Sequence, residues 1–163
     1  LYSEAISNAF NNGTNSSSYE DSDLSSQLKT VARLISGGLQ SKVYLVKLNG
    51  FDTHFNQIES GNDIQGDHNE LLIELNNAVS SFMEDISAQG FQDDVVGLTF
   101  SEFGRKAKEN GNLGTDHGEI APMFVFGSAI NGGVSGSNPD LTEATLENQD
   151  QLQIHFFYIM KSY

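Results

Sequence analysis

Three short stretches carry side chains that could do chemistry together. "LNGFDTHFNQ", residues 48 to 57, sets Asp52 two positions before His54. "GTDHGE" sets Asp116 beside His117, and "TFSEFGRK" carries Ser101, Glu102 and Arg105. Carboxylate with imidazole suits a borderline divalent cation such as zinc, and a carboxylate-rich set without thiolate also admits manganese, magnesium or calcium. A cation held by such a set polarises an ester oxygen or makes hydroxide available near neutral pH.

Each of these residues also has a plainer role open to it. Asp52 and Asp116 can cap turns or helix starts while His54 and His117 satisfy backbone carbonyls. Glu102 can ligate or move a proton, or sit solvated at a loop end. Arg105 can hold an anion bidentately or pair with surface acid. His68 sits at the start of an expected helix, within reach of the same site or simply in solvent. His155, beside Phe156 and Phe157, reads as packing. Other chemistries lack their signatures: there is no HExxH, no GxxxxGK[ST] or GxGxxG, and no GxSxG, so the glycines of residues 128 to 136 read as turns.

The elements that must position these groups follow from periodicity. Leu24, Leu28, Val31, Leu34 and Ile35 recur at helical spacing and stop at Gly37-Gly38. "KVYLVKL", residues 42 to 48, is β-branched and apolar enough for a buried strand. "DHNE" from Asp67 resembles a capping box, and the helix after it carries Leu71, Leu72, Leu75, Ala78, Val79, Phe82 and Ile86 before Gly90. "DVVGLTF" from Asp94 and "APMFVFG" from Ala121 predict two further strands, and Leu152 to Tyr163 a last helix. Residues 1–22 read as a polar loop or disordered lead-in, leaving 23–163 as one domain. Strands separated by a long helix imply an α/β class, a mostly parallel sheet flanked by helices. In such sheets ligands bind at the carboxyl ends of the strands, where the polar clusters then fall. The loop from 104 to 120 must fold back over that edge to bring in His117.

Composition sets the outer bounds. With 163 residues the chain fits one domain, and at 37% apolar with eleven Phe it can form a core. Twenty-two acidic residues against eight basic ones give a net charge of -14, which opposes binding to nucleic acid or anionic membranes. An anionic ester would be repelled too unless a cation reversed the local field. Cysteine is absent, which excludes thiolate ligands and disulfides but leaves the compartment open. No apolar run approaches the roughly 20 residues of a membrane span. The chain starts on Leu1 and stops at Tyr163 within an apolar-periodic stretch, as a fragment of a longer protein would.

"GFDTHFNQ", "HNELLIELNNAVSSFMEDI" and "DDVVGLTFSEFGRKAKENGNLGTDHGEIAPMFVFGSAINGGVSG" together resemble the C-terminal part of a bacterial domain-of-unknown-function family, family 1501, whose members are similar to the alkaline phosphatase and sulfatase superfamily and are often exported. The resemblance implies an alkaline-phosphatase-like α/β fold, of which this chain would be an incomplete part, completed by the rest of the polypeptide or a partner chain. It implies Asp52, His54 and His117 as metal ligands, with Glu102-Phe103 standing where an acid–His pair is usual, and a nucleophile upstream of this chain. The implied function is metal-dependent hydrolysis of a small phosphate or sulfate ester in the periplasm or outside the cell. A non-catalytic member used for binding or assembly is the alternative.

Overall fold

The structure, a computed structural model, describes residues 2–119 and 121–136, together with the backbone of 155–160. It divides into two compact units, one of Leu1–Asn49 with Leu71–Val95 and the other of Gly50–Glu70 with Val96–Tyr163.

The first unit is helical. Helix α1 spans Tyr2–Asn12, α2 Asp23–Ser36, and α3 Asp67–Ala88, the last contributing everything after its first turn to this unit. Helix α2 forms where its apolar period predicts. Ser22 caps it by accepting from the Ser25 N–H at 3.2 Å, and Gly37 ends it with an N–H to the Arg33 carbonyl. Its stripe of Leu24, Leu28, Val31 and Ala32 is buried, as are Ala9 of α1 and Ala78, Phe82, Met83 and Ile86 of α3.

One carboxylate is buried completely in this unit. Asp85, on α3, accepts from the Ser16 N–H at 2.6 Å, Asn15 Nδ2 at 2.8 Å, Tyr19 Oη at 2.9 Å and Gln89 Nε2 at 2.6 Å. Burial alone would push this carboxyl up, but the four donors together hold it below the ordinary range. The same bonds order the polar segment after α1. Of the expected lead-in, residues 2–12 are therefore helix and the stretch that follows is a loop tied to α3.

The second unit is built on strands: β1 Gly97–Leu98, β2 Gly104–Glu109, β3 Thr115–Gly118, β4 Ala121–Phe126, β5 Gly133–Ser135 and β6 His155–Met160. One sheet has the order β1-β4-β6-β5, and β2 with β3 makes a separate ribbon. The pairings β1–β4, β2–β3 and β5–β6 are antiparallel, while β4 and β6 run parallel.

This overturns the expected mostly parallel, helix-flanked, alkaline-phosphatase-like sheet. Among the described residues the sheet has one parallel pair, β4–β6, between two short antiparallel ones, and three expected elements differ. Residues 42 to 48 form no strand: the segment has the composition for one, but among the described residues no backbone pairs with it, and propensity without pairing does not make a strand. Val43 and Leu45 are left 79% and 77% exposed. In 94 to 100 Asp94 ends a short 3-10 turn, Gln92–Asp94, and the strand shortens to Gly97–Leu98, followed by the Thr99 N–H donating to the Phe124 carbonyl at 2.9 Å. Within the expected last helix, His155–Met160 is a strand paired along six positions with β4, as its aromatic and β-branched run favours. The rest of that stretch, with the His155 side chain expected to pack, lies outside the described residues. Among the described residues no helix is long and apolar enough to cross a membrane.

Candidate metal centre

The chemistry-bearing residues meet in the second unit, and they do so through the β2–β3 ribbon. Within the expected loop from 104 to 120, Gly104–Glu109 and Thr115–Gly118 fold back as two antiparallel strands. Their register sets Arg105 opposite His117 and Gly104 opposite Gly118, with an irregularity between Arg105 and Glu109. The turn between them is closed by Glu109, whose Oε1 accepts from the Gly111 and Leu113 N–H groups at 2.7 and 2.8 Å. The segment carrying Asp52 and His54 lies along this ribbon. Thr115 N–H donates to the Thr53 carbonyl at 3.3 Å, and Ile58 N–H to the Leu113 carbonyl at 3.1 Å. Gln57 Oε1 accepts from the hydroxyls of both Thr53 and Thr115, at 3.1 and 2.7 Å, and Thr53 is buried. The contact is close because residue 114 is glycine: a Cβ there would fall 2.3 Å from the His54 carbonyl oxygen.

Asp52, His54 and His117 come together at that contact. Asp52 Oδ1 lies 2.7 Å from His117 Nε2 and 3.2 Å from His54 Nε2, and one ligand atom from each residue falls within 4.8 Å of the others. Donor atoms sharing a cation at about 2.0–2.1 Å sit roughly 3 Å apart, as the two contacts of Asp52 Oδ1 do, and one carboxylate with two imidazoles is a donor set suited to a divalent cation of the zinc type. The side chains of Asp52, His117 and His54 are 62%, 49% and 34% exposed, leaving open positions toward solvent. The hydrogen bond with His117, countered in part by desolvation, and then the charges of His117, His54 and Arg105 hold the Asp52 carboxyl below its ordinary range. It is therefore ionised, as a ligand must be.

The other expected site residues take different places. Asp116 faces the opposite nitrogen of His54, with Oδ1 3.4 Å from Nδ1. The Asn110 amide first, then His54 and Lys106, hold its carboxyl low. Arg105 is largely enclosed, with a side chain 18% exposed. Its Nη1 donates to the Thr115 carbonyl at 2.6 Å, and its Nη2 to the Phe51 carbonyl and, at 3.2 Å, to Asp52 Oδ1. Glu102 is exposed in the loop before β2, and among the described residues no hydrogen bond or ion pair joins it to the cluster. His68 stands edge-on to Phe51, with ring centres 5.7 Å apart. Burial, and then the charge of Arg105, push its imidazole down.

Two further residues shape the site. Phe103 stacks on His117 with ring centres 4.1 Å apart and planes 10° from parallel, and the Arg105 guanidinium lies 5.0 Å from the Phe103 ring. Asn110 Nδ2 reaches both the His54 carbonyl at 3.0 Å and Asp116 Oδ1 at 3.3 Å. In sequence Phe103 counts only as a residue unable to ligate, and Asn110 only as part of the loop from 104 to 120. Neither pattern announces a contact with a histidine far along the chain.

A family profile described as "Protein of unknown function (DUF1501)" matches residues 3–157. No curated protein and no solved structure matches the chain.

Proposed function

The chain belongs to the DUF1501 family of proteins of unknown function, and from the donor set within it we propose that the second unit binds a divalent cation of the zinc type and uses it to hydrolyse a small phosphate or sulfate ester. The observation that carries the reading is the convergence of His54 Nε2 and His117 Nε2 on Asp52 Oδ1, at 3.2 and 2.7 Å. Three protein ligands with open positions beside them are the make-up of a catalytic site, whereas structural zinc sites close with four. A cation there supplies Lewis-acid polarisation of the ester oxygen and hydroxide near neutral pH.

The chain's own residues have definite parts in this reading. Asp52 and the two imidazoles hold the cation. Arg105 acts through Asp52: three of its five N–H donors go to two backbone carbonyls and the carboxylate, so it fixes the ligand. An anionic ester must approach a chain of net charge -14, and a cation bound at the exposed cluster reverses the field locally. The hydrolytic part rests on the donor set and on the motif resemblance, which also motivates a periplasmic or extracellular location; the fold lends it no support. A binding role without turnover is the second reading. Phe103 favours it, because it covers one face of His117 with a group that can neither ligate nor move a proton.

The test is zinc affinity, by competition with a chelating dye, in His54→Ala, His117→Ala and His68→Ala. Loss of a ligand should weaken binding by more than the roughly 10–100-fold typical of outer-sphere changes, while His68→Ala stays near wild type. Equal affinity in all three variants would refute the site. Zinc binding with no turnover of aryl phosphates or sulfates would select the second reading.

A further inference from the structure

We infer that Asp116 is a positioning residue: held in place by Asn110, it keeps the proton of His54 on Nδ1 and so presents the Nε2 lone pair to the cation. The inference rests on the reading that Asp52, His54 and His117 hold that cation, and it departs from a ligand role for Asp116.

The two nitrogens of His54 face two different carboxylates. Nε2 is 3.2 Å from Asp52 Oδ1 and Nδ1 is 3.4 Å from Asp116 Oδ1. A neutral imidazole has one N–H and one acceptor nitrogen, so only one of these carboxylates can receive its proton. Asp52 Oδ1 is the poorer receiver, because it already lies 2.7 Å from His117 Nε2 and 3.2 Å from Arg105 Nη2. Asp116 Oδ1 is less contested, with the Asn110 amide at 3.3 Å beside His54 itself, and its contact with Nδ1 has hydrogen-bond geometry. The proton therefore belongs on Nδ1. A carboxylate behind a ligating imidazole fixes tautomer and ring orientation and raises ligand basicity.

Asn110 makes the arrangement rigid. Its amide donates to the backbone carbonyl of His54 and to the carboxylate that orients the His54 ring, so one side chain fixes both ends of that residue. Lys106 Nζ, 3.8 Å from Asp116 Oδ2, adds an exposed ion pair of little weight. From its position behind the ring Asp116 would influence the cation without touching it.

Nitrogen-15 NMR of the full chain distinguishes the tautomers directly, without metal. Neutral His54 should show a protonated Nδ1 and a bare Nε2 in the wild type and move toward protonated Nε2 in Asp116→Ala. Asp116→Asn, whose amide oxygen still accepts, should retain most of the wild-type pattern. Zinc affinity should fall about 10–100-fold in Asp116→Ala and recover partly in Asp116→Asn. A wild-type His54 protonated on Nε2, or a tautomer unchanged in Asp116→Ala, overturns the inference. Failure of the wild type to bind zinc would overturn the cation reading instead, and the tautomer result separates the two failures.

Discussion

Gly114 offers a way to move one ligand without replacing it. A Cβ at this position would lie 2.3 Å from the His54 carbonyl oxygen, 2.4 Å from its carbonyl carbon and 2.7 Å from the Thr53 carbonyl oxygen, whereas ordinary contact begins near 3.4 Å. All three atoms are backbone, so no side chain can swing aside. In Gly114→Ala the segment carrying His54 and the ribbon must part by about 1 Å, at a stability cost of roughly 1–3 kcal/mol for overpacking. Metal sites tolerate displacements of only about 0.2 Å. A shift several times larger should lower zinc affinity on the order of 100-fold while the protein stays folded. Gly111→Ala is the control: nothing lies within 4 Å of its Cβ, but φ is +89°, so it strains the turn without touching His54. It should lower the melting temperature and leave zinc affinity near wild type. Competition with a chelating dye, paired with thermal melts, reads both quantities. Wild-type affinity in Gly114→Ala, or an equal loss in Gly111→Ala, would refute the argument that ribbon contact sets the ligand geometry.

Asp85→Asn should destabilise the first unit by about 3 kcal/mol in urea titrations, because the amide can answer only part of the four donors and turns an N–H toward others. The pH sign follows from the lowered pKa. The ionised Asp85 contributes stability that is present above the unfolded value of about 3.9 and is lost as pH falls through the folded value, so Asp85→Asn should flatten the acid limb of the stability curve. An unchanged limb would show that the buried carboxylate is not the group responsible. Phe103→Ala should cost about 1 kcal/mol by removing the stack on His117, and loosen zinc binding several-fold by freeing that ring. Unaltered affinity would mean that the ribbon alone orients His117.

Residue type made the cluster legible: acid and imidazole at Asp52-His54 and at Asp116-His117 suggest cation chemistry before any fold is known, and the structure brings them together. The different places of the two acids were not legible, since each lies within two positions of a histidine in sequence and only the structure sets them against opposite nitrogens of the His54 ring. The helices at α2 and α3 follow from long apolar periods. The ribbon does not, because "GRKAKE" and "TDHG" are charged and poor in β-branched residues, and their pairing comes from the contact with residues 50 to 58. Residues 42 to 48 fail in the opposite sense, with strand composition and no strand to pair with. The capping box expected at Asp67 also gives way to tertiary contacts. Asp67 is itself helical, and its N–H and that of His68 donate to the carbonyls of Asn56 and Gln57.

Asp52 and His117 stand 65 positions apart in the chain, yet they meet at one oxygen. A cation joining them would act as a removable cross-link. Closing a loop of that length restricts the unfolded chain by roughly 4 kcal/mol on the entropy scale used for disulfides, a bond this cysteine-free chain cannot make. Chelation would then do to the second unit what a reductant does to a disulfide-bonded domain, and the availability of the ion would govern how long the ribbon and the 50 to 58 segment stay joined against proteolysis.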